Sequence, residues 1–172
     1  MGIVAVDICN TLADVNSELE RFFGERRREG EYRGFSAAPD REWFKNNLWI
    51  FDRAKALKGS VKMLRNISLR DEVVYVTARP EEAHQVTEQW LRRNGYPEGE
   101  IFHTTKTVGK GAIASAIGAA WAIDDVPDEV LDYARHGIPC LVVAQDYNRG
   151  CRNRFRWEER RLDMELLRLL SS

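Results

Sequence analysis

The sequence predicts an α/β protein in which a parallel sheet is covered by helices on both faces. Three observations carry this. Five short runs are apolar nearly throughout, as strands buried on both faces are. Helical periodicities separate them, giving a βαβα alternation. Acidic and hydroxyl residues stand where the apolar runs stop, which is where open parallel sheets place their ligands.

Taken in order, the first strand is "IVAVD" at 3 to 7, and a helical pattern follows from Asn16 to Arg28. Residues 30 to 57 break the rhythm. They carry Tyr32, Phe35, Trp43, Phe44, Trp49 and Phe51 without a clear strand, and read as a small, mostly helical insertion after strand one. Its aromatics either pack the insertion onto the core or wall a pocket. A helix at Lys58 to Leu69 leads to the strand "EVVYVT" at 72 to 77. A helix at Pro80 to Asn94 leads to "EIFHTT" at 100 to 105, Lys110 to Ile117 to "AWAIDD" at 120 to 125, and Pro127 to His136 to "PCLVVAQ" at 139 to 145. Pro80 and Pro127 suit first helical turns, and Gly95 and Gly137 suit helix C-caps. A last helix is expected from Trp157 to Leu170, with Trp157, Leu162, Leu166 and Leu169 on one face against the domain or a second subunit, so a homodimer is among the expectations.

A chain of 172 residues with 44% hydrophobic content suits a single domain, 1–172, with the cap insertion inside 16–57. Lysine plus arginine (26) nearly balances aspartate plus glutamate (27), so no global field marks a nucleic-acid or membrane binder and the expected partner is small. The runs "ERRRE" and "RNRFRWEERR", with Phe155 and Trp157, invite a nucleic-acid reading, but glutamates dilute both. Cys9, Cys140 and Cys151 have neither disulfide-framework nor zinc spacing, which favours a reducing cytoplasm. No basic leader followed by an apolar stretch opens the chain, and no run of about 18 apolar residues occurs.

The polar strand ends form a coherent set: Asp7, Thr77, then Asp124 and Asp125, with Lys110 opening the helix before the last pair. Taken singly, Thr77 is a strand residue, Lys110 a solvated lysine, and the aspartate pair a helix N-terminal acidic pair. Together, two acidic strand ends need a cation, and oxygen ligands suit Mg²⁺. A hydroxyl, an ammonium and a divalent ion around one carboxylate make a phosphate site, and the carboxylate can itself be the nucleophile.

"DICNTL", "VVYVTARP", Lys110 and "AIDD", in that order, resemble the four motifs of the haloacid dehalogenase-like (HAD) phosphatases. The nearer resemblance is to the 5'(3')-deoxyribonucleotidase-like branch, through "TARPE", "IDD" and the late "YNR" of Tyr147 to Arg149; it spans residues 3 to about 160. It implies a Rossmann-like HAD fold with a small cap and a Mg²⁺-dependent phosphomonoester hydrolase acting on a small phosphorylated substrate, a nucleoside monophosphate. By that resemblance Asp7 attacks phosphorus, Thr77 bonds a phosphoryl oxygen and Lys110 neutralises charge. The metal ligands would be Asp7, the carbonyl of Cys9, Asp124 and Asp125, the last directly or through water. Ile8, Ala78, Arg79 and Trp43 join Thr77 and Lys110 as substrate contacts, with Phe44 and Trp49 as further base or sugar contacts, and a helix starting after residue 11 would add amide donors. Lys106 is the rival for the lysine role.

The sequence departs from that pattern at Cys9, where the family has a second aspartate that serves as acid and base. A thiol with an ordinary pKa of about 8.5, beside phosphate and carboxylates, stays neutral, so it could donate a proton but is a poor base. Taken singly, it reads as a small packing residue. General acid–base help is worth about 10² to 10⁴ in rate, so slow turnover or a preference for good leaving groups follows. Asp14, His103 and Asp128 are candidate substitutes. The alternatives are a catalytically impaired phosphate-binding or regulatory module and a nucleic-acid end-processing phosphatase.

Overall fold

The computed structural model describes residues 2–158. Its elements run β1 (Ile3–Val6), β2 (Ala13–Asp14), α1 (Val15–Phe23), α2 (Arg41–Asn46), α3 (Trp49–Arg53), β3 (Lys55–Ala56), α4 (Ser60–Ser68), β4 (Glu72–Thr77), α5 (His84–Asn94), β5 (Ile101–His103), α6 (Lys110–Ala116), β6 (Ala119–Asp124), α7 (Pro127–Arg135), β7 (Cys140–Val143) and β8 (Arg154–Phe155). The main sheet has the order β5-β4-β1-β6-β7-β8, and every pairing in it is parallel. The chain leaves β1 toward β4 and β5 and then returns to β6 on the other side, so strand order reverses between β1 and β6. That crevice is where doubly wound sheets bind ligands.

Successive residues of a strand serve opposite faces. Val4, Val6, Val73, Tyr75, Trp121 and Ile123 pack with Leu64, Ile67, Trp90 and Leu91 of α4 and α5. Ala5, Val74, Val76 and Ala122 face Ala114 of α6 and Tyr133 of α7. Both faces are thus covered, and the strands are apolar throughout for that reason.

Several elements differ from expectation. Helix α1 stops at Phe23 rather than Arg28, because Gly24 takes the left-handed conformation (φ 66°) and ends the turn. The stretch after Pro80 begins as a 3₁₀ turn, Glu81–Ala83, before α5. Two pieces of sheet carry no signal in the sequence, being two residues long: the edge strand β8, and the antiparallel β2–β3 ladder pairing Ala13 with Ala56 and Asp14 with Lys55. That ladder closes the base of the inserted segment, whose helices are α2 and α3. Trp90 Nε1 donates to Ala54 O at 2.7 Å and pins it to the core. Of the expected terminal helix, residues 159–170 lie outside the described residues, and Trp157 and Glu158 sit in a turn.

Candidate active site

Asp7 is the first residue beyond β1, and its amide donates to Ile123 O at 2.9 Å, so its carboxylate is fixed at the edge of the sheet beside the tip of β6. Lys110, the first residue of α6, donates to Asp7 Oδ1 and Asp124 Oδ2, both at 2.7 Å. All three side chains are buried. The lysine is aimed by close backbone contact. A Cβ on Gly111 would stand 2.6 Å from Asp132 O of α7, and the Gly111 amide donates to Asp132 Oδ2 at 2.7 Å. The other oxygen of Asp124 accepts from the amides of Asp125 (2.8 Å) and Val126 (3.0 Å). Asp125 accepts from Thr11 Oγ1 at 2.7 Å and from the Tyr147 hydroxyl.

Carboxylate oxygens of Asp7, Asp124 and Asp125 lie within 4.8 Å of one another, and all three residues are buried. One ammonium cannot balance them. Burial raises the Asp124 carboxyl above the ordinary carboxylate range, against the pull of Lys110. Burial, then the charges of Asp7 and Asp124, raise Asp125 well above it. Burial opposes the charge on Lys110, yet Asp124 and Asp7 hold its pKa well above the ordinary value. An all-oxygen set with an excess of negative charge fits a hard divalent cation such as Mg²⁺.

On the other side of β1, Thr77 ends β4 fully buried, and its Oγ1 accepts from the Arg79 amide at 3.2 Å. Arg79 is 2% exposed. Its Nε donates to Cys9 Sγ at 3.2 Å and its Nη1 to Thr87 Oγ1 at 3.0 Å, while its guanidinium lies 4.4 Å from the Phe51 ring centre. Nη2 has no hydrogen-bond partner among the described residues. Burial pushes the Cys9 thiol up, with Arg79 pulling it back down, and the net shift is upward.

Between these groups and the inserted segment lies a cavity of about 630 Å³, which Asp7, Cys9, Ala78, Arg79 and Lys110 line from the core side. Phe35, Phe44 and Phe51 line it from the insertion, together with Tyr32, Arg33 and Arg41. Trp43 packs against Phe22, Phe23 and Phe44, and Trp49 against Phe22, and neither belongs to the cavity lining. Ile8 is fully buried, and its carbonyl accepts from the amides of Leu12 and Ala13. The helix expected after residue 11 begins at Val15, where Asp14 caps it through the Ser17 amide at 3.1 Å. A tight turn with Asn10 at φ 59° takes up the residues between.

Of the three candidate substitutes for the missing acid, Asp14 is this cap. His103 bonds Arg79 O at 3.0 Å and His84 at 3.1 Å, outside the lining, and Asp128 lines the cavity beside Glu129. Lys106 is exposed. Sequence reasoning gave no role to Thr11 or Glu129, and named Tyr32 only among aromatics that either pack the insertion or wall a pocket. The late "YNR" held a signal for Tyr147, and nothing short of the fold marks the others.

No protein-family model matches the chain. Over 84 residues, 48% of this chain, it is 30% identical to the "Putative nucleotidase OB0422" of Oceanobacillus iheyensis, and the match spans 45% of that protein. Among solved structures it resembles the hydrolase SP0104 of Streptococcus pneumoniae, titled a haloacid dehalogenase-like family protein, with a TM-score of 0.56, 13% identity and 86% of each chain covered. It also resembles the class C acid phosphatase of Bacillus anthracis, with a TM-score of 0.58 and 18% identity over 84% of this chain and 66% of that one. Among the described residues no helix is long and apolar enough to cross a membrane.

Proposed function

We propose that the chain, which has the haloacid dehalogenase-like fold, is a Mg²⁺-dependent phosphomonoester hydrolase working through an aspartyl-phosphate on Asp7. The observation that carries this is the convergence of Asp7, Lys110 and Asp124 at 2.7 Å contacts, buried beneath a cavity that Asp7 and Lys110 line.

In this reading an Asp7 oxygen forms a bond to phosphorus while the ester P–O bond breaks and its electron pair leaves with the alcohol oxygen. Water then cleaves the acyl-phosphate. The Thr77 hydroxyl accepts from the Arg79 amide, which leaves its own hydrogen to donate to a phosphoryl oxygen. The unpartnered Nη2 of Arg79 is a second donor for substrate, and Ile8 and Ala78 contribute backbone at the same edge. Lys110 offsets the charge of phosphate and Asp7, so catalysis is positioning and electrostatics. Asp7, Asp124, the Cys9 carbonyl and Asp125, the last directly or through water, would hold Mg²⁺. When bound, the ion supplies neutralisation of the phosphoryl oxygens.

The name of the Oceanobacillus iheyensis relative and the aromatic wall of Phe35, Phe44 and Phe51 support a nucleoside monophosphate as substrate, with Trp43 behind that wall. We take 1–172 as one domain with its cap within 16–57, cytoplasmic, acting on a small molecule rather than nucleic acid, as a monomer or homodimer. A second reading, a phosphate-binding module with impaired turnover, is favoured by the Cys9–Arg79 contact, which leaves the acid/base position with a neutral thiol.

The test is a panel of nucleotides and sugar phosphates with Mg²⁺, run on wild type, Asp7→Asn and Cys9→Asp. Hydrolysis by wild type that Asp7→Asn abolishes supports the enzyme. Activity seen solely in Cys9→Asp supports the binding module, and activity in none of them, with no binding of inorganic phosphate in Mg²⁺, ends both.

A further inference from the structure

The inserted segment carries a phenol that the reaction above does not use. Tyr32 lines the same cavity as Asp7, Cys9 and Lys110. Its ring meets that of Tyr147 edge-on, with centroids 5.3 Å apart, and Tyr147 is itself fixed by donating to Asp125. Arg33 covers the Tyr32 ring at 5.9 Å. The ring is therefore held one side chain away from Asp125, while its hydroxyl has no hydrogen-bond partner among the described residues.

The hydroxyl keeps its proton. Burial, then the charges of Asp125, Cys9 and Asp7, raise its pKa well above the ordinary phenol value, with Lys110 opposing them. Asp7 attacks from the floor of the cavity, and an in-line displacement sends the leaving oxygen toward the inserted segment, the side from which Tyr32 enters. Of the other protonatable groups in the lining, Glu129 lies beside Asp128 and its carboxyl feels Lys110 and Asp7, while Asp40 is taken up as the cap of α2, accepting from the Trp43 amide at 2.8 Å.

Resting on the phosphatase reading, we propose that Tyr32 is a catalytic proton donor to the leaving ester oxygen, in the place of the aspartate that position 9 lacks. As the Asp7–P bond forms and the ester P–O bond breaks, the Tyr32 proton moves to the departing oxygen, releasing neutral alcohol and a phenolate. The phenolate recovers a proton from the water that hydrolyses the acyl-phosphate, so phosphate is the net product and Tyr32 is restored. A departing alkoxide is a far stronger base than a departing nitrophenolate, so alkyl esters are the substrates that need this proton. A nitrophenolate leaves without help.

That asymmetry is the test. Tyr32→Phe keeps the ring against Tyr147 and removes the proton. With Mg²⁺ present, kcat/KM for β-glycerophosphate should fall roughly 100-fold and for p-nitrophenyl phosphate less than about 5-fold. In a Cys9→Asp background, where a carboxylate takes over, Tyr32→Phe should lose less than about 5-fold on both esters. Equal losses on both esters in the wild-type background, no loss on either, or a 100-fold loss persisting beside Asp at position 9 would each overturn the role of Tyr32 alone. Wild-type protein that cleaves neither ester overturns the phosphatase reading and this role with it.

Discussion

The Arg79 guanidinium donates through Nε to the sulfur of Cys9 at 3.2 Å, while its Nη2 remains without a partner. A buried arginine with a weak acceptor on one side and none on the other is an incomplete pair. A carboxylate at position 9 completes it and supplies the base that a neutral thiol does not. Cys9→Asp should raise kcat on alkyl phosphates by about 10- to 100-fold, with Cys9→Ser near wild type. Steady-state rates across esters of differing leaving group check it, and an unchanged Cys9→Asp rate would show that position 9 does not limit turnover.

Lys110 is the ammonium between two buried carboxylates. Breaking such a pair from one side leaves uncompensated charge, so Lys110→Met should cost about 3–5 kcal/mol of metal-free stability at neutral pH. Urea unfolding with and without Mg²⁺ measures it. The ion should return part of the loss, because it supplies positive charge to the same oxygens.

Asp124 and Asp125 both have raised carboxyl pKa values in the fold. The sign follows directly: a folded state that holds its protons more tightly loses stability as pH rises above the ordinary carboxylate value of about 3.9 toward the folded values. Mg²⁺ displaces those protons, so its thermal stabilisation should grow between pH about 5 and about 8. Melting curves in millimolar Mg²⁺ against EDTA across that range test this. A Mg²⁺ shift independent of pH would show that these two carboxyls do not bind the ion.

Thr11 and Tyr147 hold Asp125 in place through one hydrogen bond each. Groups behind metal ligands are typically worth 10- to 100-fold in affinity, so Thr11→Val and Tyr147→Phe should each raise the Mg²⁺ concentration for half-maximal stabilisation by about that factor. Titration of melting temperature against Mg²⁺ reads the effect without any substrate.

How much of this the sequence disclosed depends on which force fixed each part. Strands buried on both faces write continuous apolar runs, so the sheet and its order of helices were legible, and with them the residues at strand tips: Asp7, Thr77, Asp124 and Asp125. Lys110 was legible by its place at a helix start. What escaped is whatever only packing decides. β8 and the β2–β3 ladder are two residues per strand, too short for any period. Trp43 and Trp49 are aromatic like Phe35 and Phe51, and nothing in composition says which ring faces the cavity and which faces Phe22. Tyr32 sits in a loop without regular structure, where position along the chain carries no direction.

The close meeting of α6 and α7 has a further meaning. Gly109 and Gly111 flank Lys110, and a Cβ on either would fall 2.5 to 2.7 Å from atoms of Asp132 or His136. The ammonium is therefore aimed where Gly111 meets the Asp132 carbonyl main chain to main chain, with the Asp132 carboxylate and the His136 ring closing in around it. Aim of this kind tolerates wide change on the outer surface of both helices, yet a single added methyl group at the contact would wedge them apart and swing the charge away from the carboxylates it serves.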